Sequence, residues 1–329
     1  MSSQGNKIQR YDNFTKLEQV VLGRINFDLL QLIGDTDQKN YVEHQFHNAA
    51  DTLEQLNDIF KKFDIKVHRP EPLPYTPDLT TPYTTLPAVN NVLCPFDNYL
   101  ILENTIVEAP SNNPYNYFDH MQYSHIWRQF SHAPNKWIST PRPSYNPDLE
   151  NEECLFDAPC FEPIGDTIFH TEHTCVTTTG LDWVKNYFSD FTYHAVPNTK
   201  GHLDGYFAVL QPGLIFSSIP KIMLPDAFKQ WEVIESPKDN FIDRKMVNDF
   251  LQDDDYENTN LIVSSFNIDE HNIIMFDHVM DNHLDVVRKI EKHSINIIPV
   301  SMKSARFFGQ GISCMTNAIC RQGVKENYF

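Results

Sequence analysis

Short apolar runs recur from one end of the chain to the other: LEQVVLG (17–23), NYLILEN (98–104), TIVEA (105–109), GYFAVL (205–210), GLIFSS (213–218), LIVSSFNI (261–268) and INIIPV (295–300). Some alternate apolar with polar positions and others are wholly apolar, the patterns of half-buried and buried strands. A different period appears between them. NAADTLEQLNDIFKKF (48–63) sets Leu53, Leu56, Ile59 and Phe60 on one face at helical spacing. LDWVKNYF (181–188) and DNHLDVVRKIEKH (281–293) do the same. Strands alternating with helices predict an α/β protein, in roughly five units spread along the whole chain. With no low-complexity segment or long linker between them, residues 1–329 read as a single domain.

Proline-rich stretches at 69–87 and 133–147 carry aromatics and predict extended, ordered loops that pack on the body or line a cleft. The acidic run DDDYEN (253–258) predicts a solvated loop. No apolar run approaches the roughly 18 residues that span a bilayer, and the polar start MSSQGNKIQRYDNF lacks a signal peptide's apolar stretch, so the expected location is cytoplasmic. A formal net charge of −18 argues against nucleic acid and anionic membranes as partners. It is compatible with a cationic small molecule. Six cysteines without a C-x-x-C pair predict reduced thiols, and no structural zinc or other metal.

Three segments can carry chemistry. In FEPIGDTIF (161–169), Asp166 follows a glycine and precedes an apolar run; taken alone it reads as a turn aspartate. In GHLDGYFAVLQPG (201–213), His202 and Asp204 stand two apart, a spacing that shares one face of a strand, where a carboxylate can tune an acid/base imidazole. In FFGQGISCMTNAICR (307–321), Gly309 and Gly311 precede Cys314, and such a turn can expose a thiol that a core would hide. HTEHT (170–174) has metal-like histidine spacing but no evident third ligand, and no phosphate loop is present.

In this order the segments resemble the glycine amidinotransferase family of the pentein superfamily. FDAPCFEPIGDTIF (156–169) is similar to the family's F-D-A-A-x-x-x-R-x-G-x-D-x-F, which would put Asp166 at its catalytic aspartate. GHLDGYFAVLQPG resembles H-I-D-x-T-F-x-P-L-x-P-G, matching His202 to the catalytic histidine and Asp204 to the neighbouring carboxylate. GQGISCMTNAICR (309–321) resembles G-G-G-x-H-C-x-T-x-D-x-R-R, with Cys314 at the nucleophile. CPFDNYLILENTIVEAP (94–110) resembles C-P-R-D-x-x-x-V-x-G-N-E-I-I-E-A-P and assigns Asp97 to the guanidinium-holding carboxylate. KWISTPRP (136–143), LEQVVLGR (17–24) and IKVHRPEP (65–72) extend the likeness from about residue 11 to 323. Departures stand at Ser313, where the family has histidine, at Gln310 for a glycine, at Lys221 for a basic residue after the P-G strand, and in SNNPYNYFDH (111–120).

The resemblance implies a five-bladed pseudo-symmetric α/β propeller and an arginine-dependent amidinotransferase. Cys314, His202 and Asp166 would be catalytic, with Asp204 and Asp97 holding the substrate. A covalent amidino-cysteine would pass its amidino group to an amine acceptor, which need not be glycine. No metal or organic cofactor is implied, and relatives often form homodimers. A hydrolase of the arginine deiminase or dimethylargininase type, producing citrulline, uses the same residues. A non-catalytic binding module of the same fold is the third possibility.

Overall fold

The computed structural model describes residues 6–73, 78–80, 82–86, 92–149, 152–171, 175–237, 262–301, 303 and 308–329. The acidic run 253–258 and His173 lie outside them.

Five three-stranded sheets repeat one plan. An antiparallel hairpin is followed by a helical crossover, and a third strand returns parallel to the hairpin's second strand. In chain order the complete units are β5 (Tyr99–Leu102), β6 (Thr105–Glu108) and β7 (Lys136–Ser139); β8 (Phe161–Ile164), β9 (Thr167–Thr171) and β10 (Thr192–Val196); β11 (Phe207–Gln211), β12 (Leu214–Ser217) and β13 (Glu232–Glu235); and β14 (Phe266–Asp269), β15 (Asn272–Phe276) and β16 (Asn296–Val300). The remaining unit is spliced from both ends of the chain. Here β17 (Thr316–Arg321) pairs antiparallel with β1 (Leu17–Leu22), and β1 pairs parallel with β2 (Lys66–His68). A short hairpin of β3 (Leu79–Thr80) and β4 (Thr85–Leu86) stands apart from the five sheets. The architecture is the pseudo-symmetric five-bladed α/β propeller.

Each strand is short because each sheet is a wedge around a common axis. β5, β8, β9, β12 and β17 are buried at every position; β8 and β17 bury Glu162 and Arg321, whereas β5 (YLIL) and β12 (LIFS) are apolar on both faces but for Ser217. Such strands read as continuous apolar runs rather than alternations. The long crossover α1 (Thr36–Lys62) starts where the Asp35 side chain accepts from the Gln38 amide, and its last turn carries Lys61 and Lys62. It buries Leu53, Leu56 and Phe60 against the spliced blade, each contributing about 1.5–3 kcal/mol. The sequence pattern gives only its second half, since Thr36–His47 is largely polar. The expected strand at 261–268 is also shifted, to 266–269.

Near the axis two arginines are buried, Arg10 and Arg321. Arg10 donates to the Asn13 side-chain oxygen at 2.8 Å, while the Asn13 amide donates to Glu162 at 2.7 Å. Arg321 donates to the Asn267 carbonyl at 2.8 Å. These bonds tie together blades that are distant in sequence, where an unpaired buried charge would be costly.

The β8–β9 hairpin turns on Gly165 at φ +69°. A Cβ there would stand 2.0 Å from the Glu326 carbonyl oxygen. Gly165→Ala is therefore expected to lower stability by at least about 1 kcal/mol, read from the denaturant midpoint; an unchanged midpoint would contradict this close packing of the C-terminal tail.

Candidate active site

One position recurs in the blades: the turn that leads into the first strand of the hairpin. Asp97 lies in the short helix α2 (Pro95–Asn98) immediately before β5, with Pro95 in its first turn. Asp157 precedes the single 3₁₀ turn Ala158–Cys160 that enters β8. His202 precedes, and Asp204 lies within, the 3₁₀ turn Leu203–Gly205 that enters β11. Cys314 sits two residues before β17. In the last blade Ser264 and Ser265 hold the equivalent place before β14. A propeller turns all these approaches toward one end of its axis, so residues far apart in sequence meet.

The imidazole of His202 is the hub. Its Nε2 is 3.1 Å from Asp157 Oδ2, and its Nδ1 is 3.8 Å from Asp97 Oδ1. The thiols of Cys314 and Cys175 also reach it. Cys314 Sγ donates to Asp204 Oδ2 at 3.3 Å. The same carboxylate oxygen accepts from Ser313 Oγ at 2.5 Å, and Ser313 Oγ is 3.0 Å from Ser264 Oγ. Two of the sequence's departures thereby acquire structural roles. Ser313 braces Asp204, and the Gln310 side chain accepts from the Cys94 thiol, joining the Cys314 loop to the residue that caps α2. Gly311 lets this loop pass Ser264, since a Cβ would lie 1.9 Å from its hydroxyl.

The structure brings Cys314, His202, Asp204 and Asp97 together; it does not bring Asp166 to them. Asp166 occupies the β8–β9 turn, where it accepts from the Asn327 amide at 3.2 Å and from Thr167 Oγ1 at 3.0 Å. The four residues of β8 carry the chain about 13 Å away from the cluster before that turn. Asp157 stands beside His202 instead. It belongs to the same segment, FDAPCFEPIGDTIF, at the other end of β8. Lys221 is also elsewhere, donating to the Trp231 carbonyl at 2.6 Å.

Electrostatics follow from packing acids around one base. Burial pushes the Asp97 carboxyl up to about 7, with the charges of Asp157 and Asp204 adding to burial and His202 opposing it. Burial also pushes the Cys314 thiol up to about 12, reinforced by Asp204 and opposed by its hydrogen bond to His202. For His202, burial disfavours the charge, but bonds to Asp157, Cys175 and Cys314 and the field of Asp97 outweigh it and hold the imidazolium well above its ordinary range. Cys175 moves down to about 5, chiefly through a hydrogen bond from the Cys160 thiol. Asp97 Oδ1 is buried without a hydrogen-bond partner.

A cleft opens beside it, lined by Asn98, Ser111, Tyr117, His120, Arg142 and Tyr145. Both walls come from the aromatic segments at 111–120 and 133–147. Among the described residues, Cys160, Cys175 and His202 place donor atoms within 4.8 Å of one another, as metal ligands would.

No family model matches the chain. Comparison with solved structures gives a TM-score of 0.81 to an inosamine-phosphate amidinotransferase of Streptomyces griseus at 20% identity, covering 98% of this chain and 99% of that one. A DDAH of Pseudomonas aeruginosa, solved as a mutant with citrulline, superposes at a TM-score of 0.62 with 12% identity, over 92% of this chain and 99% of that one. These likenesses, with the five repeated sheets, define a pentein fold. In sequence, the mitochondrial glycine amidinotransferase of Gallus gallus is 25% identical over 332 residues, 90% of this chain and 74% of that protein. The chain is therefore similar to amidinotransferases in sequence and shares its fold with them.

Because Asp204 opposes ionisation of the neighbouring thiol, Asp204→Asn is expected to speed alkylation of Cys314 by neutral iodoacetamide at neutral pH, measured on the Cys314 peptide by mass. A slower or equal rate would show that the carboxylate does not govern that thiol.

Proposed function

We propose that the protein transfers an amidino group from arginine to an amine through a covalent intermediate on Cys314. The observation that carries this reading is the buried Asp97 Oδ1, which has no hydrogen bond, set with Asp157 against His202 and beside the Cys314 thiol that Asp204 holds. A guanidinium is planar, cationic and rich in N–H donors, and paired carboxylates bind its edges by charge-assisted hydrogen bonds. Asp97 and Asp204 would hold it with its carbon toward sulfur, a large positioning effect.

The bound cation supplies what the empty site lacks. Its charge offsets Asp97 and Asp204, the two carboxylates that raise the Cys314 thiol, and so favours the thiolate, the nucleophilic form. The thiolate attacks the amidino carbon and a C–S bond forms. His202, held by Asp157, gives a proton to the departing nitrogen as the C–N bond breaks, releasing ornithine. An amidino-cysteine remains. The acceptor amine attacks the same carbon and its proton passes to His202. The C–S bond then breaks and returns the thiolate. The adjoining cleft lined by Tyr117, Arg142 and Tyr145 offers room for the rest of a substrate. If water replaces the amine, the same residues make citrulline. The sequence relatives, which are named amidinotransferases, favour the amine.

Arginine as sole substrate is expected to give an intact-mass increase of one amidino group, absent in Cys314→Ala, with ornithine turning over only when an amine is added. Citrulline from arginine alone would replace the transferase reading by the hydrolase. No adduct and no turnover with any amine would make the chain a binding module. Asp157→Asn is expected to reduce the rate by at least about 100-fold, whereas Asp166→Asn stays near wild type; the reverse outcome would restore Asp166 to the catalytic set.

A further inference from the structure

Two thiols that the proposed reaction does not use stand against its histidine. Cys160 ends the 3₁₀ turn that begins after Asp157, and its amide donates to the Asp157 carbonyl at 3.1 Å. Cys175 is held from the other side, its carbonyl accepting from the Asp157 amide at 2.9 Å. Asp157 is thus the backbone bridge that brings both sulfurs to the imidazole it also bonds. Cys160 is buried and Cys175 is only half-buried, so the pair is reachable from the side of Cys175. Their sulfurs and a His202 nitrogen all lie within 4.8 Å of one another. In a tetrahedral zinc site with Zn–S near 2.3 Å and Zn–N near 2.0 Å, ligand atoms stand about 3.5–3.8 Å apart. Side-chain rotation can supply that contraction. Beside the trio, Asp157 Oδ1 is buried with no hydrogen-bond partner, a hard oxygen free for a fourth bond. Spacings of 14 and 26 intervening residues kept this set from being read in the sequence.

We propose that Cys160, Cys175 and His202 form a site for one soft divalent ion of the zinc class, completed by Asp157, and that the ion switches the enzyme off by occupying its imidazole. Two thiols of this kind suit a zinc-class ion better than magnesium or calcium, which take oxygen ligands. Binding takes both sulfurs as thiolates and the imidazole in its neutral form, and whatever protons those three groups carry pass to solvent. The lone pair that would accept the acceptor's proton is then bound to metal. The ion also takes Asp157 away from His202, which the transfer reaction needs it to hold. The inhibitory consequence rests on the amidino-transfer reading; the binding of the ion does not.

Full-length protein, reduced, stripped with EDTA and desalted without oxygen, is titrated with Co²⁺, whose spectrum reports thiolate ligation. One equivalent is expected to develop a thiolate-to-cobalt charge-transfer band that EDTA erases. Cys175→Ser and Cys160→Ser should each weaken Co²⁺ binding by at least about tenfold, while Cys314→Ser keeps the band. If the buried Cys160 variant does not fold, the half-buried Cys175 variant decides alone. A wild type without the band, or a band lost in Cys314→Ser and kept in Cys175→Ser, overturns the site. In the activity arm, Zn²⁺ should inhibit arginine turnover reversibly, and the ratio of inhibited to uninhibited rate should move toward one in Cys175→Ser. A cobalt band without inhibition would sink the switch and leave the site; absence of any turnover would instead count against the amidino-transfer reading.

Discussion

The arrangement turns on three carboxylates packed beside one imidazole and its neighbouring thiol, Asp97 and Asp157 on His202 and Asp204 on Cys314. Asp97, Asp157 and Asp204 are brought together by packing, and none has a lysine or arginine partner among the described ion pairs. A protein that buries uncompensated acids gives up stability unless something arrives to neutralise them. Part of the answer is internal: the imidazolium is held charged, and Asp97 keeps its proton to near neutral pH. In the proposed function the rest falls to the bound guanidinium. Burial first, and the Asp204 charge second, raise the Cys314 thiol to about 12, so the same packing that crowds the acids also suppresses the thiolate.

The propeller makes this gathering possible. Each blade contributes the turn before its first strand, and those turns share one end of the axis. A mixed α/β sheet would spread the same residues along an edge. Here Asp97, Asp157, His202 and Cys314 come from four blades, while the fifth supplies Ser264, which braces the Cys314 loop through Ser313. The splice of β1 with β17 makes the position of Cys314 depend on closure of the whole ring, since the chain's last strand must find its first. Buried Arg10 and Arg321, bonded across blades, hold the centre that these turns frame.

Much of this was legible in residues alone. Apolar runs located β1, β5, β6, β11, β12 and β16 because buried strands must be apolar. Strands such as β7 (KWIS) and β13 (EVIE) are part-exposed and left no comparable run. The five-fold plan came from resemblance, since nothing in periodicity says that separate hairpins share an axis. The segment motifs led to Cys314, His202, Asp204 and Asp97, which the fold places together. The segment alone does not single out Asp157, because two aspartates flank β8 and only the geometry of the hairpin says which end faces the cluster. Cys160 and Cys175 carry no local signature; their meeting depends on two backbone bonds to Asp157. The serines beside Asp204 were equally silent, since bracing a carboxylate needs proximity rather than spacing.

The central claim is that the acidic ring awaits a guanidinium, and calorimetry of arginine binding to Cys314→Ser at pH 7 in buffers of different ionisation heat tests it most directly. Asp97, poised near 7 when the site is empty, must lose its proton when a cation binds beside it. The account predicts binding with net proton release at pH 7, abolished or strongly reduced in Asp97→Asn. Binding without proton release, or no binding at all, would contradict it.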